Sequence, residues 1–305
     1  MTTSTPPAPA PTVPARLDRT VNFHFIQNCN LGCNYCFATF QDEQSVARGD
    51  RLPDEELFRL TRLLAKRYTK VTFAGGEPTI YKRLPELLTS AREEGTLTNL
   101  VTNGFLINAE WLGVNAANLD LLTVSVDSDN PDTQRALGRA VNGKRTASAE
   151  EYLMLAEGAR AAGIRFKVNT VVTTINQRED ISGFIRALAP ERWKVLQAAP
   201  VEGQNDKFIG ELTPEHADFD DYVARHEAAL SGSGIRVVAE PIDVIRGSYI
   251  MVDPRGRFFD STSGHHQYSE PILDAGHDSA FAEVSFDVDK FYSRGGDADF
   301  APHTQ

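Results

Sequence analysis

Residues 27–40 read QNCNLGCNYCFATF and hold all three cysteines of the chain, Cys29, Cys33 and Cys36, in a CxxxCxxC spacing. Thiolates bind iron–sulfur clusters, and a four-iron cluster has four corner irons, so three ligands leave one iron open to another molecule. Zinc is the competing occupant. A structural zinc site takes four ligands, and the fourth would have to be His24, five residues upstream, an unusual spacing. A disulfide would strand one odd thiol. No apolar core follows Met1 to suggest a signal peptide, so a reducing, cytoplasmic compartment is expected.

Working outward, the apolar run VNFHFI (21–26) ends just before this loop and reads as a strand. Five more strand-like runs follow: KVTFAG from Lys70, TNLVTN from Thr98, LLTVSVD from Leu121, RFKVNTVV from Arg165 and WKVLQA from Trp193. Helix-like stretches separate them. Pro53 stands at a first helical position before Leu57, Leu60 and Leu64, and Ser148 with Glu151 makes a capping box before a helix that Gly163 ends. Strand–helix alternation implies a parallel sheet with right-handed crossovers. The expected fold is therefore α/β, a partial (β/α)6 barrel, with a doubly wound open sheet as the alternative. Three segments are expected: a disordered Pro/Ala-rich tail over 1–17, the barrel core over 18–212, and a C-terminal α/β extension over 213–305 that caps the barrel. The extension shows a helix near 213–229, a strand at IRVVAE, and a hairpin turning at Asp253 to Gly256 between YIMV and RFFD.

Composition excludes several functions. A formal net charge of −11 disfavours a phosphate backbone as partner, so no nucleic acid is expected. No apolar run reaches the roughly 20 residues that span a bilayer, so no membrane segment is expected. The first fifteen residues carry five of the sixteen prolines and cannot bury enough surface to order themselves.

In α/β barrels the chemistry sits at the C-terminal ends of the strands. The cysteine loop follows the first strand, and the second runs into Gly75, Gly76, Glu77 and Pro78, where two glycines admit close backbone approach. CxxxCxxC after one strand and GGEP after the next resemble the radical S-adenosylmethionine (SAM) superfamily. That resemblance implies a [4Fe–4S] cluster held by the cysteines and SAM chelated at the open iron. It also implies a Phe37 near the adenine and a Gly75–Gly76–Glu77 backbone at the methionine amino group.

Strand parity points to a second guest. Lys70 and Thr72, Lys167 and Asn169, and Arg192 and Lys194 are each spaced by two, so each pair shares one face, while Val71, Phe73, Val168 and Trp193 take the other. Burying a cation without a partner costs several kcal/mol or shifts its pKa. Four cations facing a barrel lumen therefore call for an anion such as a triphosphate. The plainer reading puts them at wet strand ends or pairs them with carboxylates such as Glu77 and Asp127.

The strings NFHFIQNCNLGCNYCF, KVTFAGGEP, VTNG, LDLLTVSVDS, LGR (137–139), FKVNTVV, RWKVLQ, VEGQN, SYIMVD and SRGGDADF follow one another as they do in viperin-like enzymes, across residues 21 to about 300. The resemblance is to a prokaryotic or lower-eukaryotic, antiviral branch. It implies dehydration of a nucleoside triphosphate (CTP, UTP or GTP) to its 3′-deoxy-3′,4′-didehydro form, a chain terminator, by a 5′-deoxyadenosyl radical that takes the ribose 4′ hydrogen. Matched by position, Ser125 and Arg139 would meet the SAM carboxylate, and Thr102 and Asn103 its ribose. Lys70, Lys167, Arg192 and Lys194 would hold the triphosphate, with Asn22, Thr72 and Asn169 as polar neighbours and Tyr249 as the acid beside the sugar.

The resemblance further implies a one-electron donor such as flavodoxin or ferredoxin, and a monomer is expected. Ala74 stands where the family has serine, and Ile26, Gln27 and Asn28 replace a Thr-Arg-Gln run, which leaves base preference open. The alternative is a radical SAM enzyme acting on another small substrate or a peptide. With no fourth cysteine there is no auxiliary cluster of the kind that peptide-modifying relatives often carry.

Overall fold

The protein is described by a computed structural model over residues 17–42 and 51–298. The expected disordered tail thus lies, except for Leu17, outside the described residues, as do 299–305.

The six sequence-derived strands are present as β1 (Leu17–Ile26), β2 (Tyr68–Gly75), β3 (Leu97–Thr102), β4 (Leu121–Ser125), β5 (Arg165–Val172) and β6 (Arg192–Gln197). Four more follow: β7 (Arg236–Glu240), β8 (Ile250–Val252), β9 (Arg257–Asp260) and β10 (Gln267–Pro271). All ten join one sheet in the order β10-β9-β8-β1-β2-β3-β4-β5-β6-β7. From β8 through β1 to β7 every pairing is parallel, and β9 and β10 are antiparallel. Strand order advances in one direction from β1 to β7. A doubly wound sheet reverses direction partway, whereas steady advance with right-handed crossovers puts every helix on one face. The open-sheet alternative is thereby set aside, and the sheet is a barrel left unclosed between β10 and β7. The C-terminal strands lengthen it at both edges, β7 beside β6 and β8 beside β1.

The helices between strands are α1 (Asp54–Arg67), α2 (Leu84–Glu93), α3 (Ala109–Asn115), α4 (Pro131–Ala136), α5 (Ala149–Ala161) and α6 (Ser182–Leu188). In α1 the apolar positions Leu57, Leu60 and Leu64 fall on one face and are fully buried. Its first turn is acidic and its last turn basic, which suits the helix dipole. Pro53 is the residue before the first turn rather than within it. The capping box at α5 forms as read, stabilising that end by about 1 kcal/mol. The helix expected near 213–229 is α8 (His216–Leu230), and a further helix, α7 (Asp206–Leu212), precedes it, the two parted at Thr213–Glu215, where Pro214 cannot extend the hydrogen-bond ladder of α7.

Val71, Phe73, Val168 and Trp193 all enter the main core on the helix-facing side of the sheet with no exposed surface. The Trp193 indole N–H donates to Thr170 Oγ1 at 2.8 Å, so the largest core side chain also satisfies its polar atom. The opposite parity of the same strands is therefore left for the lumen. Among the described residues no helix is long and apolar enough to cross a membrane.

Candidate active site

Gly75 and Gly76 bring the end of β2 against the chain that leads into the cysteine loop. Gly76 N–H donates to Ile26 O at 2.6 Å and Glu77 N–H to Asn28 O at 2.8 Å. A Cβ on Gly75 would lie 2.3 Å from Ile26 O, and one on Gly76 2.3 Å from both Asn28 O and Gln27 O. Both glycines are thus required by a backbone contact inside the protein. Glu77 turns back, buried, and fastens β2 to β3: its carboxylate accepts from Thr102 Oγ1 (2.8 Å), Asn103 N–H (2.8 Å) and Thr79 N–H (3.0 Å). Asn103 Nδ2 then donates to Asn30 Oδ1 at 2.7 Å, beside Cys29. Burial pushes the Glu77 carboxyl above its usual range, and these donors oppose the shift.

The loop is held from its other side by the turn after α4. Gly32 N–H donates to Gly138 O at 3.2 Å and Asn34 N–H to Leu137 O at 3.0 Å. Tyr35 donates a short hydrogen bond to Asp127. Arg139 pairs with Asp127 at 3.2 Å and donates to Ser125 O at 2.7 Å. Arg139 Nε has no hydrogen-bond partner among the described residues, so this buried guanidinium keeps one donor to offer. Phe37 is partly exposed, edge-on to His24 at 5.8 Å between ring centres.

All three thiols are free. Burial and the neighbouring thiols raise Cys29 to about 11 and Cys36 to about 12, and burial raises Cys33 as well. Bare thiolates are therefore disfavoured here, and bound iron would supply the positive charge that ionises them. Among the described residues no three His, Cys, Asp or Glu side chains converge on one ion. The thiolates of a four-iron cluster each take a different iron and need not converge. His24 packs among Phe37, Phe40 and Phe259, and among the described residues it does not join the cysteines around one ion as a zinc site requires. The donor set fits the cluster.

Deeper in the lumen, one cavity of about 70 Å³ is lined by Asn22, Lys70, Thr72, Lys167, Asn169, Arg192, Lys194 and Tyr249. These are the positions that parity and resemblance selected, and strand register explains their meeting. Asn22 pairs with Thr72, Lys167 with Arg192, and Asn169 with Lys194 across neighbouring strands. Three further polar strand residues, Thr20, Asn99 and Thr123, line it too. Asn99 donates to Thr72 Oγ1 at 3.3 Å and accepts from Thr123 Oγ1 at 2.9 Å, a polar row across the sheet. Parity would have found them had it been applied to neutral side chains as well as cations.

Two charged residues had no such signal. Glu240, at the end of β7, is fully buried and pairs with Lys194 at 2.6 Å and Arg294 at 3.5 Å. Arg294, just past a short helix over Val288–Ser293, stacks 3.8 Å over the Tyr249 ring. Arg192 Nη1 donates to Gly295 O at 3.0 Å, which brings the C-terminal segment against the chamber. Tyr249 donates a short hydrogen bond to Glu240 and accepts from Lys194 Nζ at 2.9 Å. The two nearby cations hold the Glu240 carboxyl down at about 2, against its burial. Burial, with Arg294 and Arg192 nearby, brings Lys194 down to about 7.

The radical SAM superfamily model matches residues 23–188. A protein of Flammeovirga pacifica named S-adenosylmethionine-dependent nucleotide dehydratase is 38% identical over 91% of this chain and 94% of its own length. One of the same name from Lacinutrix mariniflava is 40% identical over 91% of this chain, which spans 58% of that longer protein. The Danio rerio S-adenosylmethionine-dependent nucleotide dehydratase RSAD2 is 33% identical, covering 91% of this chain and 77% of its own. Among solved structures, anSMEcpe with bound AdoMet and a peptide superposes with a TM-score of 0.61 at 16% identity, covering 93% of this chain and 84% of the other. Streptococcus suis SuiB bound to S-adenosylmethionine has a TM-score of 0.59 at 17% identity, covering 78% and 59%. These two likenesses concern the fold. The chain belongs to the radical SAM superfamily, whose cofactors are a [4Fe–4S] cluster and S-adenosylmethionine, and within it to the viperin-like family of S-adenosylmethionine-dependent nucleotide dehydratases.

Proposed function

We propose that this chain dehydrates a nucleoside triphosphate, CTP, UTP or GTP, to its 3′-deoxy-3′,4′-didehydro analogue. The observation that carries this reading is the chamber, where Lys70, Lys167, Arg192, Lys194 and Arg294 line one cavity on the lumen face. Lys70 stands five residues before Gly75, so it lies about 16 Å down the strand axis from the strand end that meets the cysteine loop. A polyphosphate seated on the cations extends its ribose toward that loop.

Cys29, Cys33 and Cys36 would hold the cluster. Phe37, the Gly75–Gly76–Glu77 backbone, Thr102, Asn103, Ser125 and Arg139 would hold SAM. When bound and reduced by a donor such as flavodoxin or ferredoxin, these cofactors supply a 5′-deoxyadenosyl radical that takes the ribose 4′ hydrogen. The protein's own part is to clamp the triphosphate, so that one hydrogen is in reach, and to keep water out. Asn22, Thr72 and Asn169 offer hydrogen bonds around the nucleotide, and Tyr249 offers the proton that the departing 3′ hydroxyl needs. Thiols kept free for a cluster suit a reducing compartment, which supports the cytoplasm.

The test is to reconstitute the chain with iron and sulfide, reduce it, and add SAM with each of CTP, UTP, GTP and ATP. At least one should stimulate 5′-deoxyadenosine formation and yield a product lighter by one water. If none does, the nucleotide reading fails.

A further inference from the structure

Tyr249 cannot act repeatedly as an acid unless something returns its proton, and among the described residues Lys194 is the amine within hydrogen-bond distance of its hydroxyl. Lys194 Nζ donates to the Tyr249 hydroxyl at 2.9 Å, so the hydrogen bond already runs from the amine to the phenol. Around Lys194 stand Glu240 from β7, Arg294 from the C-terminal segment, Tyr249 from the approach to β8, and Arg192 on its own strand, beside Lys167 of β5. Glu240, the carboxylate nearest Lys194, is shared with Arg294 and also accepts from Tyr249.

The chamber thus holds its amine in a buried place, with guanidinium groups opposing a further positive charge. An arriving polyphosphate reverses that balance, because it brings several negative charges into a low-dielectric space where each counts for more than in water.

We propose that Lys194 is the proton carrier of the reaction, loaded when the polyphosphate binds and discharged through Tyr249. This rests on the nucleotide reading above and goes beyond it by giving one phosphate-binding lysine a second task. In the step itself, the ribose C3′–O bond breaks and its electron pair leaves with oxygen. The Tyr249 O–H proton joins that oxygen to make water. A Lys194 N–H proton passes to the phenolate, leaving Lys194 neutral until the next nucleotide enters. The single electron that completes the 3′,4′ double bond comes separately from the iron–sulfur or flavin donor.

Because Lys194 sits at about 7 in the free chamber, it is mostly neutral at pH 8. Nucleotide binding at pH 8 should then draw in roughly half to one proton per site, at a pH where the nucleotide's own phosphates are already ionised. The measurement is calorimetric titration of the reconstituted chain with the triphosphate that best stimulates 5′-deoxyadenosine formation, in two buffers of different ionisation enthalpy. Lys194→Arg keeps a cation that cannot deprotonate, so it should bind within about tenfold of wild type and take up almost no proton. Tyr249→Phe should take up protons as wild type does, yet yield less dehydrated product per 5′-deoxyadenosine.

Clear nucleotide binding by wild type without proton uptake at pH 8 overturns the proposal while leaving the nucleotide reading standing. Undiminished uptake in Lys194→Arg overturns it as well, by placing the proton elsewhere. No binding of any triphosphate would instead remove the nucleotide reading itself, and this inference with it. Should Lys194→Arg fail to bind, the wild-type uptake and the Tyr249→Phe product ratio decide the matter.

Discussion

Gly138→Ala tests whether the cysteine loop is shaped by a backbone contact from the far side of the site. Gly138 has φ +77°, and a Cβ there would meet Gly32 O at 2.2 Å and Cys33 Cα at 3.2 Å. Ordinary contact begins near 3.4 Å, so the two backbones must part by about 1 Å, an overpacking that costs roughly 1–3 kcal/mol. The left-handed conformation adds about 1–2 kcal/mol. Weakening the Gly32 N–H to Gly138 O bond adds roughly 0.5–1.5 kcal/mol. The total, about 2.5–6.5 kcal/mol, corresponds to a Tm lowered by roughly 5–25 °C. Gly143→Ala is the matched control: φ is +68° there and nothing lies within 4 Å, so only the conformational cost applies, about 2–8 °C. Thermal melts should be paired with iron and sulfide content and cluster absorbance after reconstitution. Gly138→Ala should lose cluster as well as stability, and Gly143→Ala should keep its cluster. Equal Tm losses and equal iron content in the two variants would refute the reasoning.

Glu77→Gln leaves an amide facing the Asn103 N–H, so it should cost about 1–3 kcal/mol in urea unfolding and lower cluster retention through Asn30; an unchanged midpoint would show that the Glu77 link is dispensable. His24 and His266 are held neutral by burial, at about 3 and about 4. The unfolded chain binds protons at these sites below pH 6.5 and the folded chain does not, so stability should fall as pH drops from 6.5 toward 4, by up to about 1.4 kcal/mol per pH unit for each. His24→Phe, entering a setting of Phe37, Phe40 and Phe259, should flatten that slope by one proton's worth, and urea unfolding at pH 7, 6 and 5 would expose a variant that keeps the full slope. Lys70→Ala should weaken triphosphate binding by about 10–100-fold, the worth of one charged hydrogen bond, and leave SAM binding and cluster absorbance unchanged; parallel loss of all three would make Lys70 a structural residue.

The parts of the molecule legible in the sequence are those whose signal is local. Alternation within β2, β5 and β6 sorted Val71, Phe73, Val168 and Trp193 from Lys70, Lys167, Arg192 and Lys194, because parity is a property of each strand alone. The capping box at Ser148 and the hairpin at Asp253–Gly256 were equally local. Strand order was not, since advance and reversal use the same βα units, and only pairings such as β1 with β8 distinguish them. The glycines of GGEP show a related limit. Close approach was legible, but the partner, Ile26 to Asn28, follows from the packing of β2 on β1. Gly138 gave no signal of its own, because Gly32 lies more than a hundred residues away.

Glu240 and Arg294 are the instructive omissions, because they change what the chamber is. Among the described residues that line the chamber from β1 to β6 the charged ones are all cations, and gathering buried charge of one sign costs free energy unless it is compensated. Glu240 supplies compensation at Lys194 and Arg294, and it reaches the lumen because β7 continues the sheet past β6, with Leu196 opposite it in register. The carboxylate is thus an internal counter-anion for Arg294 and lies 2.6 Å from the Lys194 amine, present before any substrate is. On the proposed reading a polyphosphate meets Lys70, Lys167 and Arg192 in the same cavity as Lys194. A chain with a net charge of −11 can still gather cations locally, because strand parity brings Lys70, Lys167, Arg192 and Lys194 to one face of the sheet.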